Sequence, residues 1–363
     1  MAEAAAQAPS PVEVVIAVHT PERPIGQAVA SVLDGNGDVA SVTVVCHNTS
    51  TDRIAPGVAG RHRDRVRWLE HHDDRRSPAG PFNAGMRAAR GRYVSIMGSD
   101  DTLAEGAVAS WLALARRTGA ETVVSRLVIG SGHRIVRTPP TRPWRRGVLD
   151  PVRDRLSYRS APLGLVSTAA RARLGAELVE GLAVGDDVPY VTRLWCETAV
   201  AYDRGGPPYQ IGVDAADRVT YATRPVGTEL AFVDHLLTQA WFTGYPPAVR
   251  RAVVTKLARI HVFGLVWHRD RPALWDEPER RQLAAVTAAL EAAAPGYAGP
   301  LSRADRALLD ACADPGVPAA ELVARARARR RHGTPATLLP RDLRHLTDRE
   351  APPRFMAASL LVR

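Results

Sequence analysis

Gly91–Asp101 reads GRYVSIMGSDD. Tyr93, Val94, Ile96 and Met97 favour strands, and Arg92 to Met97 fits a buried one. The run passes directly into Gly98-Ser99-Asp100-Asp101. Adjacent carboxylates at the end of a buried strand repel each other. A hard divalent cation with oxygen ligands relieves that repulsion and can in turn hold phosphates. In open α/β sheets, ligands bind outside the carboxyl ends of the strands. The acidic turn is therefore in the right place to hold a metal-nucleotide, with Asp100 and Asp101 as candidate ligands of a divalent cation such as Mn or Mg. The plainer alternative is a strand-to-helix turn in which one aspartate caps a helix from Thr102 to Arg117.

Working outward, Val12–Val18 (VEVVIAV) is a buried strand by composition. Two prolines in the loop His19-Thr20-Pro21-Glu22-Arg23-Pro24 end its pairing. Ile25–Leu33 has helical spacing, and Val42–Cys46 is a second strand opening into the polar loop His47–Asp52. Val66–Leu69 is a third. A turn-rich segment, 71–81, leads to a helix from about Phe82 to Ala89. After the acidic turn come a helix over Leu103–Arg117 and a strand over Glu121–Ile129. Short links and regular alternation predict a mainly parallel sheet with helices on both faces. Gly130–Arg159 is rich in proline and arginine. A second acidic turn, Gly185-Asp186-Asp187, opens a helix running to Trp195, and strands are expected at Ala199–Asp203 and Tyr209–Val213. Beyond Thr228 the pattern is helical throughout. The expected organisation is a disordered lead over 1–10, an α/β domain over 11–227 and a helical region over 228–363.

The chain has 363 residues and a formal net charge of +10. Lys256 is its only lysine, so the charge is almost all arginine, as in GC-rich genomes. A basic surface attracts phosphates on nucleic acid, nucleotide-sugar or lipid alike, and charge does not choose among them. No recognised nucleic-acid module is present, and nucleic acid is not expected as a partner. No apolar run reaches the roughly 20 residues of a membrane span, and no signal-peptide pattern opens the chain. Cys46, Cys196 and Cys312 have no metal-type spacing and read as thiols in a reducing, cytoplasmic setting.

The first half resembles the inverting family 2 glycosyltransferases of GT-A fold. Five elements carry the likeness in order over residues 12 to about 215: VVIAVHTPERP, Val44–Asp52, Phe82-Asn83-Ala84-Gly85 with Gly91-Arg92-Tyr93, Gly98–Asp101, and Asp186-Asp187 with Arg193. The resemblance implies transfer of a sugar, with inversion, from a nucleotide-diphosphate donor to a hydroxyl of a cell-surface glycan or lipid-linked saccharide. It implies Asp187, with Asp186 second, as the base that deprotonates the acceptor. It implies donor contacts at His19, Thr20, Glu22, His47, Asn48, Asn83, Asp100 and Arg193, and metal at Asp100 and Asp101. The sequence departs from the family at His47, Phe82 and Gly98, where aspartate, arginine and aspartate are usual. The processive Gln-x-x-Arg-Trp motif is absent, so single or distributive transfer is expected.

Each candidate has a plainer reading. Asp186 and Asp187 suit an N-cap ahead of Pro189. His47 and Asn48 suit a turn, Asn83 a cap, Arg193 a solvated helix face. His71-His72-Asp73-Asp74 reads as a solvated loop, since neighbours in extended chain point apart. The arginines of 325–331 read as a solvated helix face or as peripheral contact with an anionic membrane. Competing functions are a nucleotidyltransferase, for which VHTPERPIG is a poor phosphate loop, and a non-catalytic GT-A-like interaction protein.

Overall fold

The computed structural model describes residues 10–130, 134–213 and 224–362. Residues 1–9 of the expected lead lie outside them. The strands are β1 (Val12–Val18), β2 (Ala40–His47), β3 (Val66–His71), β4 (Tyr93–Gly98), β5 (Thr102–Leu103), β6 (Thr122–Ser125), β7 (Leu127–Ile129), β8 (Arg134–Ile135), β9 (Gly164–Ser167), β10 (Val200–Asp203) and β11 (Tyr209–Ile211). Seven of them form one sheet in the order β10-β6-β9-β4-β1-β2-β3. β1 runs parallel to both β2 and β4, β2 to β3, and β10 to β6, while β9 is antiparallel to its neighbours. The valine-rich centre follows from that position: Val14, Val15 and Ile16 are fully buried because helices cover both faces of a parallel sheet.

A second sheet, β5-β11-β7-β8, stands beyond the acidic turn. It corrects two expectations. Thr102 and Leu103 do not begin the helix; they pair with Tyr209 and Gln210, and the helix covers Ala107–Thr118. The strand expected over Glu121–Ile129 is split at Arg126, its first half joining the large sheet and its second half the small one. A run apolar throughout gives no sign of which sheet each half will join.

Helix α1 (Ile25–Leu33) follows β1, α2 (Ala79–Ala88) precedes β4, and α3 (Asp187–Glu197) follows the second acidic turn. From Val226 onward the described chain is helical. Within it, α4 (Ala231–Thr238), α5 (Pro247–Lys256), a π-helical turn at Leu257–Val262, and α6 (Phe263–His268) pack around a separate apolar core. Val188 of α3 belongs to that core, so the helices clasp the second acidic turn. Among the described residues no helix is long and apolar enough to cross a membrane.

Candidate active site

Parallel register collects three loops at one edge. Val18 is level with Cys46 and Ala17 with Gly98, so the loops after β1, β2 and β4 leave the sheet side by side. His19 and Glu22 are exposed on the first and Thr20 is half-buried. That loop also delivers a residue the sequence reading passed over. Arg23 Nη1 lies 3.1 Å from Asp100 Oδ2, and both side chains are mostly buried.

Asp101 is held differently. Its Oδ2 accepts the Tyr209 hydroxyl at 2.5 Å and its Oδ1 accepts the Gly212 amide at 2.9 Å. Burial raises its pKa against those two hydrogen bonds. With both oxygens committed, Asp101 ties β4 to the small sheet rather than facing a ligand beside Asp100. A Cβ at Gly98 would come within 2.6 Å of Asp101 Oδ2, so the aspartate usual there would have to displace the Asp101 carboxylate from its place. Asp101→Ala would strand the Tyr209 hydroxyl and the Gly212 N–H. We expect a loss of about 1–3 kcal/mol, measurable as a lower denaturation midpoint.

At the end of β2, His47 is buried and its Nε2 lies 2.8 Å from Asp73 Oδ1. Asn48 adopts φ 56° and accepts the Asp73 amide at 2.8 Å. Burial works against the ionised form of Asp73, but hydrogen bonds from His47, the Arg75 amide and Asn48 hold its pKa well below the usual carboxylate range. Asp73 therefore does not belong to a solvated loop. It brings a carboxylate against His47, where the family's second loop carries its own. The pairing of His47 with His71 across β2 and β3 is what places it there.

Asn83 is not at a helix start. It is fully buried inside α2, donates to the Leu178 carbonyl at 2.9 Å and accepts the Leu178 amide at 3.0 Å. Both ends of its amide are used in fastening α2 to the segment before the second acidic turn, so the donor contact expected of it is not offered. Arg193 also stands apart from Asp187. Six residues make about 1.7 helical turns, which carries Arg193 round α3 to pair with Glu197 at 3.3 Å and lie over Trp241.

Asp186 occupies the N-cap position of α3 but makes no capping hydrogen bond through its side chain. Its pKa is raised by burial, opposed by nearby amides and the Ser77 hydroxyl, which comes from the loop after β3. Asp187 is pushed up to about 7 by burial and by Asp186, against the nearby charge of Lys256. Both aspartates line a cleft of about 580 Å³. Its far wall is helical and includes Glu229, Phe232, His261, His268 and Arg269. A carboxyl raised above the usual range on the wall of a large cleft is suited to take a proton from a bound hydroxyl.

Residues 13–173 match the model for Glycosyl transferase family 2. This stretch, a little under half of the chain, is similar to the family 2 glycosyltransferases. Over 117 residues it is 33% identical to succinoglycan biosynthesis protein ExoO of Rhizobium meliloti (strain 1021). That match takes in 32% of this chain and spans about a third of the relative's length. Among solved structures, TarS 1–349 of S. aureus superposes with a TM-score of 0.67, at 14% identity, over 88% of this chain and 91% of that one. The same fragment in complex with UDP-GlcNAc superposes with a TM-score of 0.72 over the same shares, also at 14% identity. At that identity the likeness speaks for the fold, a GT-A domain with C-terminal helices, which is the architecture the sequence predicts.

Arg23, Asp73, Tyr209, Lys256 and His261 were missed in the sequence. Only Lys256 carried a signal there, as a single lysine in an arginine-rich chain.

Proposed function

We propose that this chain is a family 2 glycosyltransferase that moves a sugar from a nucleoside diphosphate donor to a hydroxyl of a cell-surface glycan or lipid-linked saccharide, with inversion. The observation that carries the reading is the pair Asp186 and Asp187 on the wall of the large cleft, where burial and the like charge of Asp186 raise the Asp187 carboxyl above the usual range. The acceptor would lie in that cleft and pass its hydroxyl proton to Asp187. Attack opposite the leaving diphosphate inverts the anomeric carbon. The donor would sit on the loops after β1, β2 and β4, with His47 and Asp73 toward the base. UDP and UDP-GlcNAc, bound by TarS, are the first donors to try.

Among the described residues no group of three metal-binding side chains is assembled. The donor set is the hard carboxylate of Asp100, which suits a cation that keeps its waters and is shared with a diphosphate. Asp100 would hold such an ion, which as a Lewis acid would stabilise the departing diphosphate by several kcal/mol. Arg23, against Asp100, adds positive charge on the same side.

A thermal-shift series with UDP, GDP, CDP, dTDP and their sugar conjugates, each with Mn²⁺, Mg²⁺ or EDTA, tests the donor site. A ligand at 100 times its Kd stabilises by about 2.7 kcal/mol. We expect one nucleotide to give a shift that the metal enhances, and Asp100→Asn to remove that enhancement while leaving the fold intact. No shift with any nucleotide would favour the non-catalytic alternative, which rests on Gly98 and His47.

Peripheral membrane contact through 325–331 gains little from the arrangement of that run. Arg325 pairs with Glu321, Arg329 with Asp305, Arg327 donates to the Asp270 carbonyl, and Arg330 lies over Trp267. Unchanged liposome association after deletion of 325–363 would remove the idea.

A further inference from the structure

The helix Pro352–Leu360 turns its apolar side outward. Its inner side is fixed by Phe355, whose ring centre lies 4.7 Å from that of Tyr158 and is covered by the Arg155 and Arg259 guanidiniums at 5.7 and 5.4 Å. Val362, just past the helix end, is buried in an apolar cluster with Leu156 and Trp195. With Phe355 and Val362 turned in, the outward side carries Pro353, Met356, Ala357, Leu360 and Leu361, all exposed and sharing one face at helical spacing. Met356 is 39% exposed, Leu360 68% and Leu361 54%. An outward helix face is ordinarily polar; this one is apolar at all five positions. The turn Leu343–Thr347, tied to the helix by the Arg354 guanidinium on the Thr347 carbonyl, exposes Leu343 as well. Four of the seven exposed large apolar side chains among the described residues thus lie between 343 and 361. Scattered singly such side chains mean little, but gathered they mark a contact surface.

The charge beside this face has one sign. Arg354 is exposed and Arg349 half-buried. Each donates to a backbone carbonyl, Arg354 to Thr347 and Arg349 to Arg153, and neither pairs with a carboxylate among the described residues. The nearby acids are already committed: Glu350 is buried against Arg259, Asp342 holds Arg344 and Asp348 holds His345. Residues 351–362 contain no acid. A partner for this face must therefore take in leucine side chains and offer negative charge. Nucleic acid offers the charge but no apolar layer. A second copy brings arginines and no uncommitted acid, and a stable dimer takes about 20 residues a side, far more than this face has. An anionic bilayer supplies both an apolar layer for the leucines and phosphate headgroups for the guanidiniums.

We propose that the helix Pro352–Leu360 is a membrane-docking element: Met356, Leu360 and Leu361 enter the interface of an anionic bilayer while Arg349 and Arg354 meet its headgroups. The surface is distinct from the arginine run 325–331, whose side chains are largely committed within the protein. A single short helix lying in the interface plane binds reversibly, and its hold weakens as salt screens the headgroups. The docking does not depend on the chemistry proposed above, and it would bring that chemistry beside acceptors carried on lipid.

The test is co-sedimentation of the full chain with vesicles of phosphatidylglycerol and phosphatidylcholine in equal parts, beside vesicles of phosphatidylcholine alone. The protein should bind the anionic vesicles at least about tenfold more tightly than the neutral ones and be released by raised salt. Leu360→Ser with Leu361→Ser should weaken the anionic binding at least about tenfold, since two leucines lose their burial in the interface. Both side chains are exposed, so the pair should fold, and an unchanged denaturation midpoint checks it. Should the pair not fold, Leu360→Cys carrying a polarity-sensitive fluorophore reads the same contact: its emission should shift to the blue on anionic vesicles. Both variants leave 325–331 untouched. A wild type that ignores anionic vesicles, a folded serine pair that binds them as the wild type does, or an unmoved emission overturns the proposal. A dimer in vesicle-free sedimentation that the serine pair dissolves would overturn it too, and give the face to a second copy.

Discussion

Replacing Asp187 by asparagine is expected to lower kcat by about 10²- to 10⁴-fold, the usual contribution of a general base. Donor affinity should change little, because a base acts in the transition state and not in holding the donor. The side chain keeps its size, so stability should hold and the loss be chemical. The pH dependence has a definite sign. Only the carboxylate accepts a proton, and Asp187 is raised to about 7 by burial and by Asp186. Wild-type kcat should therefore climb as the pH rises through that value and level off above it. Asp187→Asn should lack that limb. A large fall in donor binding in place of a fall in kcat would move Asp187 into the donor site.

Arg259→Met should give the largest loss of stability, about 3–5 kcal/mol, because it removes the central cation of a buried network and leaves Glu350 to Arg155 and Asp305 to Arg329. Arg259 Nη1 donates to Glu350 Oε2 at 2.9 Å and to the Tyr158 hydroxyl at 3.1 Å, and Nη2 to the Glu350 carbonyl at 2.6 Å. Its Nε faces Asp305 at 3.8 Å, and its guanidinium lies over Phe355. One side chain thus joins the π-helical turn, the segment before β9 and the C-terminal helix Pro352–Leu360. Chemical denaturation with the wild type alongside gives the difference. A cost below about 1 kcal/mol would mean that the network is no stronger than a surface ion pair.

The parts legible in the sequence were those set by local periodicity and by order along the chain. Val12–Val18, Val42–Cys46 and Tyr93–Met97 read as buried strands because a parallel sheet covered on both faces leaves no polar alternation. The helical character of the chain beyond Thr228 was legible too, since an apolar helical period recurs between Pro- and Gly-containing breaks. The order of the five motifs pointed to family 2 and to a GT-A fold with a helical C-terminal region.

Partnership was not legible, because hydrogen bonds join atoms that the chain order separates. Asp100 and Asp101 are neighbours in an acidic dipeptide, yet one faces Arg23 and the other is clasped by Tyr209 and Gly212. Asn83 reads as a cap and proves to be a buried staple across 95 residues of chain. Arg193 follows the acidic turn in the family's motif order, but helical rotation turns it away from Asp187.

The sequence by itself determined the fold class and the candidate acids, because composition, periodicity and motif order are local properties of the chain. Tertiary structure alone decided which acid keeps a free role. Burial and opposing charge set a carboxyl's pKa, and both come from remote segments: Asp73 drawn to His47 by strand register, Asp101 clasped by the small sheet, and Asp187 walled in by helices that begin only at Val226.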